Sequence, residues 1–142
     1  MMKLLFLLGC LFFCFNVSGK AMVDTTDYWH VKIKGFQIAE FDERSPKPAI
    51  TLNIDKLSPA DIMTVTYGND TPCGDCTTNL YVLDDKSQRI VLAEAKGTSA
   101  ALNVSVEKLK QTATKLKKRV FQVFYTDKGK RNRSIFRLNL GK

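Results

Sequence analysis

Apolar and polar positions alternate with a period of two over most of this chain, in short runs divided by turn residues, which is the signature of half-buried strands. Trp29, Val31 and Ile33 share one face and His30, Lys32 and Lys34 the other, and beyond Gly35 the phase shifts so that Phe36 and Ile38 carry the apolar side. One strand with a bulge at Gly35 accounts for that shift. Behind the Ser45-Pro46-Lys47-Pro48 break, Ile50, Leu52 and Ile54 predict a second strand. Leu57-Ser58-Pro59-Ala60-Asp61 reads as a single helical turn capped by Ser58 with Pro59 in its first position. Met63, Val65 and Tyr67 then resume the alternation as a third strand.

Leu80 to Leu83 and Arg89 to Ala93 flank the polar connection Asp84-Asp85-Lys86-Ser87-Gln88, which has hairpin length, and supply the fourth and fifth strands. Leu102, Val104 and Val106 give a sixth after the turn at Lys96-Gly97-Thr98-Ser99. The period then changes, because Val106, Leu109, Ala113, Leu116 and Val120 recur at spacings of three and four with most lysines off that stripe, which predicts a short crossover helix. Phe121, Val123 and Tyr125 open a final hairpin whose return strand carries Phe136, Leu138 and Leu140. Seven or eight strands without a repeated strand–helix alternation predict an all-β fold, a single two-layer antiparallel β-sandwich with one short crossover helix. An immunoglobulin-like or fibronectin-III-like arrangement is expected. The similarity is one of architecture, since no widely spaced cysteine pair brackets the tryptophan.

The N-terminus follows a different rule. Twelve apolar residues from Leu4 to Phe15 follow Lys3 and precede small residues at Ser18, Gly19 and Ala21, the pattern of a secretory signal peptide. As a helix the run reaches roughly 18 Å, short of the ~30 Å hydrocarbon layer. Residues 1–19 are therefore expected to be a leader cleaved after 19 or 21, and residues 20–142 one β-sandwich domain that is secreted or otherwise extracytoplasmic: periplasm, cell exterior or secretory-pathway lumen. No later stretch approaches 18 apolar residues, so no transmembrane segment is expected in the mature chain. Leu7-Leu8-Gly9-Cys10 resembles a lipoprotein cleavage box but comes too early to leave a full hydrophobic segment before the cysteine.

Compartment decides the reading of the cysteines. Cys10 and Cys14 fall in the leader, which leaves Cys73 and Cys76 in Pro72-Cys73-Gly74-Asp75-Cys76, and an oxidising environment favours their pairing as a disulfide. So short a loop gains only about 2 kcal/mol from the cross-link, which makes it a clamp on one turn. A redox enzyme of the thioredoxin type needs a helix N-terminus after the motif, whereas Thr77 to Leu83 reads as a strand and no proline follows Pro72. Two thiolates do not complete a metal site when His30 is the lone histidine, even with Asp70 and Asp75 flanking the motif. Thr77 stands where covalent haem attachment needs histidine, and no cofactor is expected.

Hydrolytic chemistry has no better footing. His30 lies on the polar face of its strand without a nucleophile beside it. Asp42-Glu43 and Asp84-Asp85 are adjacent pairs that a strand would point to opposite faces. The chain is therefore read as non-enzymatic.

Charge changes the picture most. From Lys20 to Glu107 there are 9 Lys/Arg against 13 Asp/Glu, whereas Lys108 to Lys142 carries 12 Lys/Arg against Asp127 alone. Such a polycationic quarter attracts anionic surfaces. If the helix and the hairpin tip share one end of the sandwich, Lys115, Lys117, Lys118, Arg119, Lys128, Lys130, Arg131 and Arg133 converge on one anion-binding patch. The expected partner is an anionic surface or polysaccharide, or a protein. Secretion and the lack of an exposed aromatic stacking platform argue against nucleic acid. A second reading is a structural or adaptor subunit of a membrane-associated assembly that docks through a sheet edge. A third is a thiol-disulfide protein using Cys73 and Cys76. In a eukaryotic host Asn69 and Asn132, in predicted loops, would be glycosylation acceptors, with Asn103 a further sequon at a strand start.

Overall fold

The computed structural model describes residues 27–127 and 132–141. The leader and its cysteines Cys10 and Cys14, together with Lys128, Lys130 and Arg131, lie outside the described residues. Nine strands form two sheets packed over one core: β1 Tyr28–Ile33, β2 Phe36–Asp42, β3 Ala49–Asn53, β4 Ile62–Gly68, β5 Thr77–Leu83, β6 Arg89–Lys96, β7 Leu102–Ser105, β8 Val120–Thr126 and β9 Arg133–Gly141. The first sheet runs β2-β1-β4-β7 and the second β3-β9-β8-β5-β6. Between β7 and β8 the helix α1, Val106–Leu116, carries the chain from one sheet to the other.

The inward positions are those of the period-two pattern. Trp29, Val31, Met63, Val65, Leu102 and Val104 from one sheet meet Leu80, Val82, Val123, Tyr125, Phe136 and Leu138 from the other, all nearly or wholly excluded from solvent. Burying apolar side chains of this size contributes about 1.5–3 kcal/mol each, which makes the inter-sheet layer the main source of stability. Trp29 is its hub, stacked on Phe41 and Tyr67 and meeting Tyr125 edge-on.

Three expectations need correction. The phase shift at Gly35 is a hairpin rather than a bulge within one strand. Lys34 and Gly35 have φ of 52° and 82°, the two positive values of a type I′ turn, and Ile33 pairs with Phe36 across it. The strand count rises to nine among the described residues, and Phe36 and Ile38 are 75% and 40% exposed instead of joining the core. A bulge does occur, at Ile38, because Val31 pairs with Ala39 and Lys32 with Gln37.

The sandwich is also not wholly antiparallel. β3 runs parallel to β9, from Ala49 beside Arg137 to Asn53 beside Gly141, and Arg137 N–H extends the ladder to Pro48 O at 2.9 Å. After β2 the chain crosses to the other sheet before pairing, and that crossover permits the parallel register. Finally, the second expected strand ends at Asn53, and Ile54 is buried instead in a single 3-10 turn over Ile54–Lys56 that precedes the expected turn, in which the Ser58 hydroxyl accepts from Ala60 N–H at 3.3 Å. Ser58 to Asp61 form a tight turn closed by Asp61 N–H to Ser58 O at 3.0 Å, with the Asp61 carboxylate accepting from Ser58 N–H at 2.8 Å.

Candidate functional site

The turn at Ser58 to Asp61 seats the helix. Val106 N–H donates to Asp61 O at 2.9 Å and Glu107 N–H to Pro59 O at 3.0 Å, while the Ser105 hydroxyl accepts from Lys108 N–H at 3.1 Å. Three of the orphan donors at the N-terminus of α1 are satisfied in this way. Val106, Leu109 and Thr112 are its buried face, with Ala113 and Leu116 packed on the core. Val120, the last residue of the expected stripe, belongs instead to β8 and is exposed.

At the other end α1 closes with a Schellman motif. Lys118 N–H bonds Ala113 O at 3.2 Å and Lys117 N–H bonds Thr114 O at 3.3 Å, which requires Lys117 to take the left-handed conformation, φ 52°. Glycine is the usual occupant, and a side chain there costs about 1–2 kcal/mol. Here the position carries a cation. Leu140 N–H donates to Arg119 O at 2.8 Å, fixing the next cation against β9. Lys110, Ala113, Thr114 and Lys117 share one helix face by their spacing and, with Lys118, Arg119, Ile54 and Asp55, line an open groove of about 530 Å³. Lys118 is ion-paired with Asp85 of the β5–β6 connection. Lys110, Lys117 and Arg119 are thus the groove's main source of positive field.

Among the described residues the expected cations divide between the two ends of β8. Lys117, Lys118 and Arg119 meet in this groove, and Lys115 is exposed on α1 beside it but does not line it. Lys110 joins the site although charge counting alone did not single it out; its spacing from Ala113, Thr114 and Lys117 is the signal that finds it. The hairpin tip leaves from the opposite end of β8. Seven residues at about 3.3 Å each put Asp127 and Asn132 more than roughly 20 Å from Arg119. Arg133, at that end, therefore does not share a patch with the helix cations, and Lys128, Lys130 and Arg131 lie outside the described residues.

Arg133 is engaged inside its own end of the sandwich. Its Nη1 meets the Asp27 carboxylate and donates to Tyr67 Oη at 3.1 Å, and its Nη2 meets Asp127. The guanidinium lies 4.8 Å from the Tyr67 ring centroid, 5.1 Å from that of Tyr125 and 5.4 Å from that of Trp29. Burial first, then the hydrogen bond with Asp27, holds the Tyr67 phenol above its ordinary range. Burial, reinforced by the Asp127 charge, does the same for Tyr125. Neither phenol ionises at neutral pH, so the pocket holds one cation between two carboxylates and three rings. Its two-carboxylate grip makes Arg133 a fold determinant rather than a free surface charge.

Cys73 and Cys76 are joined as a disulfide, with Cα atoms 5.8 Å apart, in the loop before β5. His30 is part-exposed on the outer face, its Nε2 3.5 Å from Glu40 Oε1. Asn69 is half-buried and donates to Thr71 O, while Asn132 is exposed and its Oδ1 accepts from Tyr81 Oη and Arg89 Nη2. Among the described residues no group of three or more His, Cys, Asp or Glu is placed to hold a metal, and no helix is long and apolar enough to cross a membrane. Comparison with family models, with curated proteins and with solved structures finds no match to this chain.

Proposed function

We propose that this chain is an extracytoplasmic, non-enzymatic binding domain whose groove between α1 and the 3-10 turn takes an acidic polysaccharide. The convergence of Lys110, Lys117, Lys118 and Arg119 on one open groove is the observation that carries the reading. A sulfated or uronic chain presents anions at repeated intervals and needs only a shallow cationic track. An immunoglobulin-like arrangement is part of the same proposal. β1, β4 and β7 stand in the order of strands A, B and E, and β9, β8, β5 and β6 in the order of G, F, C and C′. The departures are the extra strands β2 and β3, the helical crossover and the absence of an inter-sheet disulfide among the described residues.

Retention of the full chain on immobilised heparin over rising salt tests the reading. Replacement of Lys110, Lys117 and Arg119 by serine should bring elution to markedly lower salt, and an unchanged elution position overturns the proposal. Lys117→Gly should raise stability by up to about 1 kcal/mol, seen in the unfolding midpoint, while still eluting earlier. A second reading, docking of a partner's extended strand at a sheet edge, is favoured by one feature. Among the described residues β2 and β3 each have one unpaired edge, and Ile33, Ile38, Ile50, Leu52 and Leu57 line an open groove of about 440 Å³ beside them. Partner capture that resists high salt and is lost on Ile38→Lys would favour that version.

A further inference from the structure

We infer that Cys73 and Cys76 form a reversible dithiol–disulfide couple that exchanges electrons with a protein dithiol, with Cys73 as the sulfur that meets the partner. The pair lies at the start of β5, which Asn79 aligns with Thr126 at the end of β8 remote from the basic groove, so the inference is independent of polysaccharide binding. The first support is that the cross-link is not what holds the loop. Cys73 N–H donates to Thr98 Oγ1 at 2.9 Å, Thr98 N–H to Cys73 O at 2.8 Å and Gly97 N–H to Cys76 O at 2.7 Å. The Gly97 backbone, at φ 88°, lies so close that an added Cβ would stand 3.1 Å from Cys73 O and 3.2 Å from Gly74 O. These three hydrogen bonds, two main chain to main chain and one to the Thr98 hydroxyl, keep the loop seated on the Gly97–Thr98 turn whether or not the sulfurs are joined. A closed loop this short gains only about 2 kcal/mol from its cross-link, so opening it leaves the sandwich intact.

The second support is asymmetry. Cys76 is 8% exposed, whereas Cys73 is half-buried between the exposed residues Pro72 and Gly74. The third is what faces the outer sulfur. Cys76 N–H points at Cys73 Sγ at 3.0 Å, where it stabilises a thiolate, whereas the carboxylate of Asp75, its Oδ1 3.5 Å from the same sulfur, works against that charge and favours the protonated thiol. That single amide takes the part a helix N-terminus plays in other exchange sites.

In the reducing direction a partner thiolate attacks Cys73 Sγ. A partner–Cys73 bond forms, the Cys73–Cys76 bond breaks, and Cys76 leaves as a thiolate that takes up a proton. The partner's second thiolate then attacks the partner sulfur of the mixed disulfide, the partner's own disulfide forms, the bond to Cys73 breaks, and Cys73 leaves as a thiolate under the Cys76 amide and takes up the second proton. Two electrons and two protons pass from the partner dithiol, which becomes a disulfide, and the reverse sequence oxidises the partner instead.

The test uses the full chain carrying Cys10→Ser and Cys14→Ser, equilibrated with reduced and oxidised glutathione at a series of ratios. Thiols are counted by maleimide gel shift, and Trp29 fluorescence reports the fold. The expected result is that two thiols appear together within the glutathione range, disappear when oxidised glutathione is restored, and leave the Trp29 emission unchanged. With Cys76→Ser added, Cys73 should trap glutathione about tenfold faster than Cys76 does in the Cys73→Ser counterpart. A disulfide that stays closed at every ratio, or opens only as Trp29 becomes exposed, overturns the couple. Equal trapping rates overturn the assignment of Cys73.

Discussion

Replacing Arg133 by alanine should destabilise the fold by about 3 kcal/mol, the low end of the cost of stripping one partner from a buried ion pair, because the cluster is part-buried. For a domain of this size that is a fall in Tm of roughly 10 °C. The guanidinium is shared by Asp27, which precedes β1, Asp127, which follows β8, and Tyr67 of β4, so its loss leaves two carboxylates facing one another among three rings. Arg133→Lys should recover little, because an ammonium on a flexible stem does not bridge two carboxylates while lying flat over aromatic rings. The triple variant Asp27→Asn, Arg133→Met, Asp127→Asn should recover much more, since replacing a whole buried charge cluster avoids the penalty of an unpaired ion. Thermal unfolding of the three proteins gives the comparison. A single variant as stable as wild type would show that the cluster is solvated in solution.

Phe136→Ala should cost about 3–5 kcal/mol, by lost transfer energy and by the cavity left behind. Phe136 is wholly buried on β9 and meets Phe41 of the other sheet edge-on, ring centroids 6.1 Å apart, so the substitution opens the layer that joins the two sheets. Urea unfolding followed at Trp29, the chain's single tryptophan, reads the effect directly. The midpoint should fall with the slope m unchanged, the pattern of lost stability without a change in the surface exposed on unfolding.

Period-two alternation is a local signal, and what is local in this fold was legible from it. Met63, Val65 and Tyr67 are all buried, as are Phe121, Val123 and Tyr125 on β8 and Leu138 and Leu140 on β9. The crossover helix was legible from its change of period. Pairing partners were not, because the parallel contact of β3 with β9 joins residues some ninety positions apart and no local pattern records it. Phe36 misled because its alternation continues to the tip of the β1–β2 hairpin, where the side chain is exposed.

The site was legible in part. Charge counting found the polycationic quarter, yet a sum of charges carries no positions. The separation of Arg133 from the helix cations was present in the sequence all the same, since the strand Phe121 to Tyr125 stands between them and a strand sends its two ends apart. Arg133 was counted with the tip although Asp127, six residues earlier across the turn, was already in view as its counter-charge. Its second carboxylate, Asp27, is more than a hundred residues away, and only the fold brings it there.

The central claim is that the cations act at the α1 end, and the most direct test is the salt dependence of affinity for a heparin oligosaccharide of defined length. Three proteins are compared: wild type, the groove variant with Lys110, Lys117 and Arg119 replaced by serine, and a tip variant with Lys128, Lys130 and Arg131 replaced by serine. For wild type the logarithm of affinity should fall against the logarithm of salt with a slope of about −2 to −3, as expected for three or four ion contacts. The groove variant should lose most of that slope and the tip variant should keep it. A slope lost in the tip variant and kept in the groove variant would contradict the account.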